Sequence, residues 1–370
     1  ANATYYIGRP YTVSTQTTAY GDVFTSEESY SYDAKGNVIT LEKKGHNTET
    51  ITETMSYDEY GNITGKTVSV PGMASRTMSY QYDPSGRFVI QKTDVEGLET
   101  NYTYNPLYGL VLTQTNPYGL TTTHTYDSWG KKTGITDYLG NSVQYSYNRS
   151  GSEYTTTQTG DDGSESFSVS DILGNVIREG TKDLNDNFSY IDIQYDEVNR
   201  KIAQSEPYLD SPTHWNTTGY DDYSRPTQTT AHTGKITNIT YNGLTTTVND
   251  GVKTVTTVND AMGNVISHSD SGGSVTYTYY ANGNLKQSDY DGVIVSIQQD
   301  GWGRKTQLSD PSAGVYTYQY NGFGEIIEET TPKGTTSYTY NNQGRLTKKV
   351  ISGDATDMVT DYSYDPATKL

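Results

Sequence analysis

Tyr32-Asp33-Ala34-Lys35-Gly36-Asn37 returns, with small changes, as Tyr57-Asp58-Glu59-Tyr60-Gly61-Asn62 and as Tyr82-Asp83-Pro84-Ser85-Gly86-Arg87. The shared string is Tyr, then Asp or Asn, two variable residues, Gly, and a closing Asn, Arg or Lys. Its second residue carries a short acceptor able to take a backbone N–H two residues on, and its glycine supplies the positive φ that closes a turn. The string is thus a turn signal first. Ahead of it tyrosines alternate with other residues, as in Tyr30/Tyr32, Tyr80/Tyr82, Tyr102/Tyr104, Tyr145/Tyr147, Tyr318/Tyr320, Tyr338/Tyr340 and Tyr362/Tyr364. A period of two places each pair on one face of a strand. Stacked repeats are expected to align these rings into tyrosine ladders, each cross-strand contact contributing ~0.2–1 kcal/mol.

Working outward, further copies begin at Tyr126 (with Asp127 and Gly130), Tyr147, Tyr195, Tyr220, Tyr320 (with Asn321 and Gly324), Tyr340 (with Asn341 and Gly344) and Tyr364. Looser copies begin at Tyr104, Ser170, Asn259, Tyr279 and Gln299, and Tyr241-Asn242-Gly243-Leu244 is a degenerate one. Tyr32 to Tyr57 is 25 residues, Tyr104 to Tyr126 is 22 and Tyr320 to Tyr340 is 20. About half a period away lies a second turn, seen in Asp94–Gly97, Asn116–Gly119, Asp137–Gly140, Asp310–Gly314 and Thr331–Gly334. Each unit is therefore strand, turn, strand, turn, with about six residues per strand. About fifteen such units make roughly thirty strands, which at ~4.8 Å each would run on the order of 140 Å in one flat sheet. Open twisted sheets rarely exceed about ten strands without curling, so the array is expected to coil.

Composition agrees with an all-β repeat. Hydrophobic residues make up only 32% of the 370, and the apolar surface comes mostly from 36 Tyr, against 5 Phe and 3 Trp. Strand-forming Tyr, Thr and Val punctuated by Gly, Asn, Asp and Ser argue against disorder despite a net charge of −18. The excess of 44 Asp and Glu over 26 Lys and Arg disfavours nucleic acid and anionic membranes as partners. With no cysteine, disulfides, thiol catalysis and Cys-based zinc sites are excluded. No apolar run approaches the ~18 residues of a membrane helix, so no membrane insertion by this segment is expected. The N-terminus lacks a signal-peptide pattern and reads as an internal cut.

The register of Tyr-Asp-x-x-Gly-Asn/Arg copies resembles the RHS/YD-repeat family, which includes polymorphic toxins, the cocoon subunits of Tc toxins and the teneurins. The resemblance covers roughly residues 28–370, with residues 1–27 as a lead-in whose Tyr6-Ile7-Gly8-Arg9-Pro10-Tyr11-Thr12-Val13 is similar to the segment preceding the repeats in toxin-complex proteins. At the other end Tyr364–Leu370 reads as a repeat cut mid-unit, as in a fragment of a longer protein. The resemblance implies a β-hairpin strip spiralling into a solenoid-like hollow shell. It further implies a non-enzymatic structural role in a secreted or cell-surface protein, encapsulating or presenting a C-terminal effector. The implied partners are the upstream region and cargo of the same polypeptide, and secretion machinery or surface glycans. In toxin members the shell ends in a self-cleaving D-P-x-G core; Asn116-Pro117-Tyr118-Gly119 lies mid-array, has Asn in place of Asp, and reads as a turn.

Candidate chemistry is sparse. His46, His124, His214, His232 and His268 fall in different repeats without H-x-x-x-H or H-E-x-x-H spacing, and no nucleophile-elbow, Walker A or dinucleotide motif occurs in a strand-turn-helix context. No cofactor, metal or catalytic residue is expected. Asp161/Asp162 and Asp221/Asp222 would point to opposite faces of a strand and read as turn caps. Trp129 and Trp302 each precede the turn glycine of their repeat, where an exposed ring must pack or bind. They are the candidate ligand-contacting aromatics of an alternative role, a cell-surface adhesin or carbohydrate-binding module.

Overall fold

The computed structural model describes residues 8–353 and 355–366. Among these it contains 32 β-strands and no helix, and every described strand pairing is antiparallel between strands consecutive in sequence. The all-β hairpin strip expected from the turn signals is the fold. The chain divides into two compact units. One comprises Ala1–Tyr102, Asn116–Tyr118 and Val275–Leu370, the other Thr103–Thr115 and Gly119–Ser274.

The first strands show how the sequence sets the pattern. β1 (Thr12–Ala19) pairs with β2 (Asp22–Tyr32) around Tyr20-Gly21, with φ of 55° and 73°. Two consecutive positive φ values define the tight hairpin turn whose twist matches that of the flanking strands. β2 then meets β3 (Val38–Lys44) across the Asp33–Gly36 turn, and β3 meets β4 (Thr50–Tyr57). At the motif the register slips by one residue: Ser31 faces Thr40 but Tyr32 faces Val38. The same bulge recurs at Tyr57/Ile63, Tyr195/Lys201, Tyr320/Ile326 and Tyr340/Leu346. A bulge increases local twist, so its recurrence at these motifs is a built-in source of curvature.

Two expectations need correction. The lead-in runs into the array, with β1 and β2 on one ladder and β2 passing through residue 27; Tyr6 and Ile7, like Ala367–Leu370, lie outside the described residues. The copy at Tyr147 makes no motif turn. Its strand continues to Ser150, Tyr147 faces Thr156, and the chain reverses around Gly151-Ser152, because Gly151 (φ 59°) opens a two-residue hairpin instead of closing a four-residue turn. Nor do the motif tyrosines form a continuous ring ladder. An antiparallel strand intervenes between successive motif strands, which leaves them ~9.6 Å apart.

Burial is slight throughout. Val70, Ala203 and Ala281 are the buried hydrophobic residues among those described, with Ser205 the buried polar one. Stability therefore comes from the backbone ladder and from repeat-to-repeat ties rather than from a thick core.

Candidate functional site

The recurring site is the motif turn. In the first copy Asp33 Oδ1 accepts the N–H groups of Lys35 and Asn37, both at 2.8 Å, while Gly36 N–H donates to Asp33 O at 3.0 Å. Asp58, Asp127, Asp196, Asp221, Asp300, Asn321 and Asn341 repeat this pair of side-chain acceptances. The Asn37 N–H holds the Asp33 carboxyl below the ordinary carboxylate range. For Asp83 the Ser85 hydroxyl and then the Phe88 N–H bring it down to about 2. The glycines Gly36, Gly61, Gly86, Gly130, Gly324 and Gly344 all take the positive φ, from 67° to 98°, that the turn requires.

The closing residue of the motif reaches back and forward at once. Asn37, Asn62 and Asn175 donate from Nδ2 to the Oδ2 of their own turn aspartate, and Arg200, Arg225 and Arg304 do the same from Nε. Asn62 Nδ2 also reaches Gly86 O, and Arg200 Nη1 reaches Asp221 O at 3.0 Å, each in the next motif. The guanidinium groups of Arg200, Arg225, Arg304 and Arg345 lie 4.9, 4.3, 4.7 and 4.9 Å over the rings of Tyr220, Tyr241, Tyr320 and Tyr364. Cations thus fill the gaps between rings where a tyrosine ladder was expected.

The motif tyrosine itself ties repeats together. Tyr57 OH donates to Val38 O at 2.7 Å, Tyr195 to Val176 O, Tyr220 to Lys201 O, Tyr320 to Lys305 O, Tyr340 to Ile326 O and Tyr364 to Leu346 O. In each case the acceptor is the first strand residue after the preceding motif, the one that faces the bulge. Tyr147 makes the same bond to Lys132 O although its own turn has moved. Burial pushes the phenols of Tyr57, Tyr195, Tyr320 and Tyr340 above their ordinary value, keeping them protonated as donors. Phenylalanine could not make this bond, which gives the motif position a reason to hold tyrosine.

Within the first unit a seam joins early and late repeats. Ala281 N–H donates to Asp22 Oδ2 at 3.1 Å, His46 N–H donates to Gly301 O at 2.8 Å, and Arg76 pairs with Glu325 at 2.8 Å. Arg76 Nε also donates to Asn342 O, its guanidinium lies 3.7 Å over the Phe323 ring, and Arg345 pairs with Glu96 at 2.7 Å. One side of the seam is a row of motif turns from the repeats at Tyr279, Gln299, Tyr320 and Tyr340. The other is a row of second turns and adjoining strand ends near residues 20, 45, 70 and 96. Repeat meets repeat, one to one. The third motif residue is small in three successive repeats, as Ala281, Gly301 and Gly322, because the partner backbone leaves no room. A Cβ on Gly301 would stand 1.8 Å from His46 O, and one on Gly322 would stand 2.9 Å from Val70 Cβ. Val70 is 4% exposed and Ala281 fully covered.

The two candidate aromatics part company here. Trp302 sits in the seam, its ring against Gly45, whereas Trp129 is 86% exposed. One member of each carboxylate pair caps a turn, Asp162 through the Ser164 N–H and Asp221 through the N–H groups of Tyr223 and Arg225, while Asp161 exchanges bonds with Ser142 on a neighbouring strand. Asn116 Oδ1 accepts the Tyr118 N–H, so that string is a turn. Of the histidines, His232 lies 3.2 Å from Glu206 and edge-on to His214, and burial lowers the pKa of His124. Among the described residues no group of three His, Cys, Asp or Glu side chains could hold a metal ion.

A sequence model of the RHS repeat matches residues 300–336 and 320–357, which span the motifs at Tyr320 and Tyr340 and part of the seam. Residues 300–357 carry RHS repeats. No curated protein matches it in sequence. Among solved structures its fold is similar to TcdB2-TccC3, with a TM-score of 0.75 at 12% identity over 92% of this chain and 25% of that one. TcdB2-TccC3-TEV gives 0.76 at 11% identity, covering 94% and 27%, and the Photorhabdus luminescens Tc holotoxin pore gives 0.69 at 13%, covering 92% and 22%. This chain thus shares the fold of these structures and spans about a quarter of their chains.

Proposed function

We propose that this RHS array is a wall section of a container, a non-enzymatic shell segment of an exported or surface-displayed polypeptide that encloses a C-terminal effector. The seam carries this reading. A hairpin strip whose later motif turns dock, repeat for repeat, on its own earlier second turns builds a continuous wall. A binding module would have no need to bring residues 20–96 against residues 279–345. The motif chemistry supports the same role, since each Tyr, Asp and closing Asn or Arg is consumed in holding turns and neighbours. No helix among the described residues is long and apolar enough to cross a membrane. Partners in this reading are the effector and the remainder of the polypeptide. Limited proteolysis of the polypeptide that carries this array tests it. The downstream segment is expected to resist protease while the wall is native and to be cleaved at least about tenfold faster when Gly301→Val and Gly322→Val open the seam. Equal cleavage of that segment in the native protein and when expressed alone would overturn enclosure.

A further inference from the structure

The connection between strands Lys201–Ser205 and Trp215–Tyr220 is nine residues long, whereas no other connection between described strands exceeds six. Insertions in a repeat array fall in loops on one face, and loops held by a rigid scaffold are where binding groups concentrate. This loop is tied down at its ends and in its middle. Glu206 N–H donates to His214 O at 2.8 Å, and Tyr208 exchanges backbone hydrogen bonds with Tyr190 at 2.8 and 3.0 Å. The Tyr208 ring lies 5.6 Å from that of Tyr190, which lies 6.0 Å from Phe188 and 6.1 Å from Phe167. A cluster of aromatic rings thus fixes the loop on the sheet, and its Pro212 forms part of the wall of a cavity of about 380 Å³.

One cross-strand row builds most of the remaining wall. Val169 faces Arg178, Arg178 faces Asp192, Asp192 N–H donates to Ser205 Oγ at 2.9 Å, and Ser205 faces Trp215. Glu153 and Gln194, both exposed, complete the polar lining. None of these is a motif tyrosine, a turn aspartate or a closing residue, so the chemistry of the repeat does not account for them. Arg178 and Asp192 form a two-point pair, Nε to Oδ1 at 2.6 Å and Nη2 to Oδ2 at 2.8 Å. The pair is neutral as a whole, yet beyond those two bonds Arg178 keeps N–H donors and Asp192 keeps lone pairs. Arg178 is half-exposed and so within reach of a ligand.

From this arrangement we infer that the cavity is a carbohydrate site for a neutral mono- or disaccharide bearing vicinal hydroxyls. Trp215 supplies a flat apolar surface for the C–H face of a sugar ring, and the Arg178–Asp192 fork both donates and accepts, as neighbouring hydroxyls do. The volume lies within the ~300–1,000 Å³ of small-molecule pockets, at the end that suits one or two sugar rings. An anion finds no free cation here, because Asp192 already neutralises Arg178 and Glu153 adds negative charge. The site needs no enclosed cargo, so it stands or falls separately from the container reading.

Saturation-transfer NMR on the polypeptide that carries this array tests it, with glucose, galactose, mannose, maltose, lactose and mannobiose as probes. At least one is expected to bind saturably and to receive transfer at its ring C–H protons. Trp215→Leu keeps an apolar residue opposite Ser205 but removes the flat surface, and Arg178→Lys keeps the charge but removes the fork. Each is expected to weaken that sugar at least about tenfold. Arg178→Lys carries the test alone if Trp215→Leu does not fold. No saturable binding of any of these sugars, affinity unchanged in Arg178→Lys, or binding that depends on Trp129 instead would overturn the site. So would sulfate or lysine methyl ester displacing the bound sugar, since the cavity would then read charge and not hydroxyls.

Discussion

Replacing Gly301 with alanine isolates the seam from the turn that bears it. The turn itself accepts a side chain at this position, since other repeats place Ala34, Glu59, Pro84 and Glu197 there, and Gly301 does not adopt a positive φ. What forbids a Cβ is the neighbour: 1.8 Å to His46 O, 2.5 Å to Thr48 Cγ2 and 2.8 Å to His46 C. Backbone cannot swing aside as the tip of a side chain can, so the two rows must separate by more than 1 Å, an overpacking cost of about 1–3 kcal/mol. Separation also breaks the 2.8 Å bond from His46 N–H to Gly301 O, worth about 1 kcal/mol net. The seam should lose about 2–4 kcal/mol, which at ~1.4 kcal/mol per decade is about 30- to 1,000-fold faster local opening. Hydrogen exchange at the His46 amide reads this opening directly. The control is Gly303→Ala, which strains its own turn (φ 80°) and meets only the side chains of Asn282, Asn284 and Gln299. Unchanged protection of His46 in Gly301→Ala, or equal loss in both variants, would refute the seam.

Tyr220→Phe removes only the hydroxyl bonded to Lys201 O and should cost about 0.5–1.5 kcal/mol in denaturant melts, whereas Tyr223→Phe, 82% exposed, should cost nothing measurable; equal effects would sink the hydroxyl tie. Arg76→Ala leaves Glu325, largely covered, with Asn321 Nδ2 as a remaining partner but no cation, and strips the cation from Phe323, a loss of about 1–3 kcal/mol. A double-mutant cycle with Glu325→Gln should return most of it as coupling, and additive effects would show that the two residues act separately. Acid should unfold the array. Asp33, Asp58, Asp196 and Asp221 titrate below their ordinary 3.8 when folded, and Asp83 does so at about 2, so their stabilisation is complete above pH ~4 and is lost as pH falls through the folded values. A melting temperature unchanged between about pH 4 and 2 would contradict that linkage.

Turn positions were legible in the sequence because turn chemistry is local. An aspartate that accepts N–H groups two and four residues on, and a glycine at positive φ, need nothing beyond the six residues that contain them, and Asp33, Asp127 and Asn341 fold as their strings imply. Tyr147 shows where the local reading fails. Tyr-Asn-Arg-Ser-Gly satisfies the motif pattern and also a two-residue hairpin at Gly151-Ser152, and pairing in register from Val143 to Ser150 selects the hairpin. The hydroxyl tie left a compositional trace, the dominance of Tyr over Phe, but its acceptor is a carbonyl and carbonyls carry no sequence label. The seam left a clearer one in Ala281, Gly301 and Gly322. Small residues at one motif position in three successive repeats mark a close approach, yet they do not name a partner about 250 residues away. That distance depends on the summed twist of many bulges, a quantity no single repeat encodes.

The position of a repeat along the strip therefore decides what its variable residues do. Trp129 and Trp302 occupy the same motif position, donate the same backbone N–H to their turn aspartates at 2.8 and 2.9 Å, and precede glycines of nearly equal φ, 81° and 80°. Their local structures are interchangeable, but Trp302 is packed on Gly45 while Trp129 stands in solvent. The recurring Tyr, Asp or Asn, and residue at positive φ maintain the hairpin, and the two variable residues between them are free to specify what lies alongside. Where a backbone row docks closely, the first of the two shrinks to Gly or Ala. A repeat of this kind separates its structural vocabulary from its contact vocabulary within six residues.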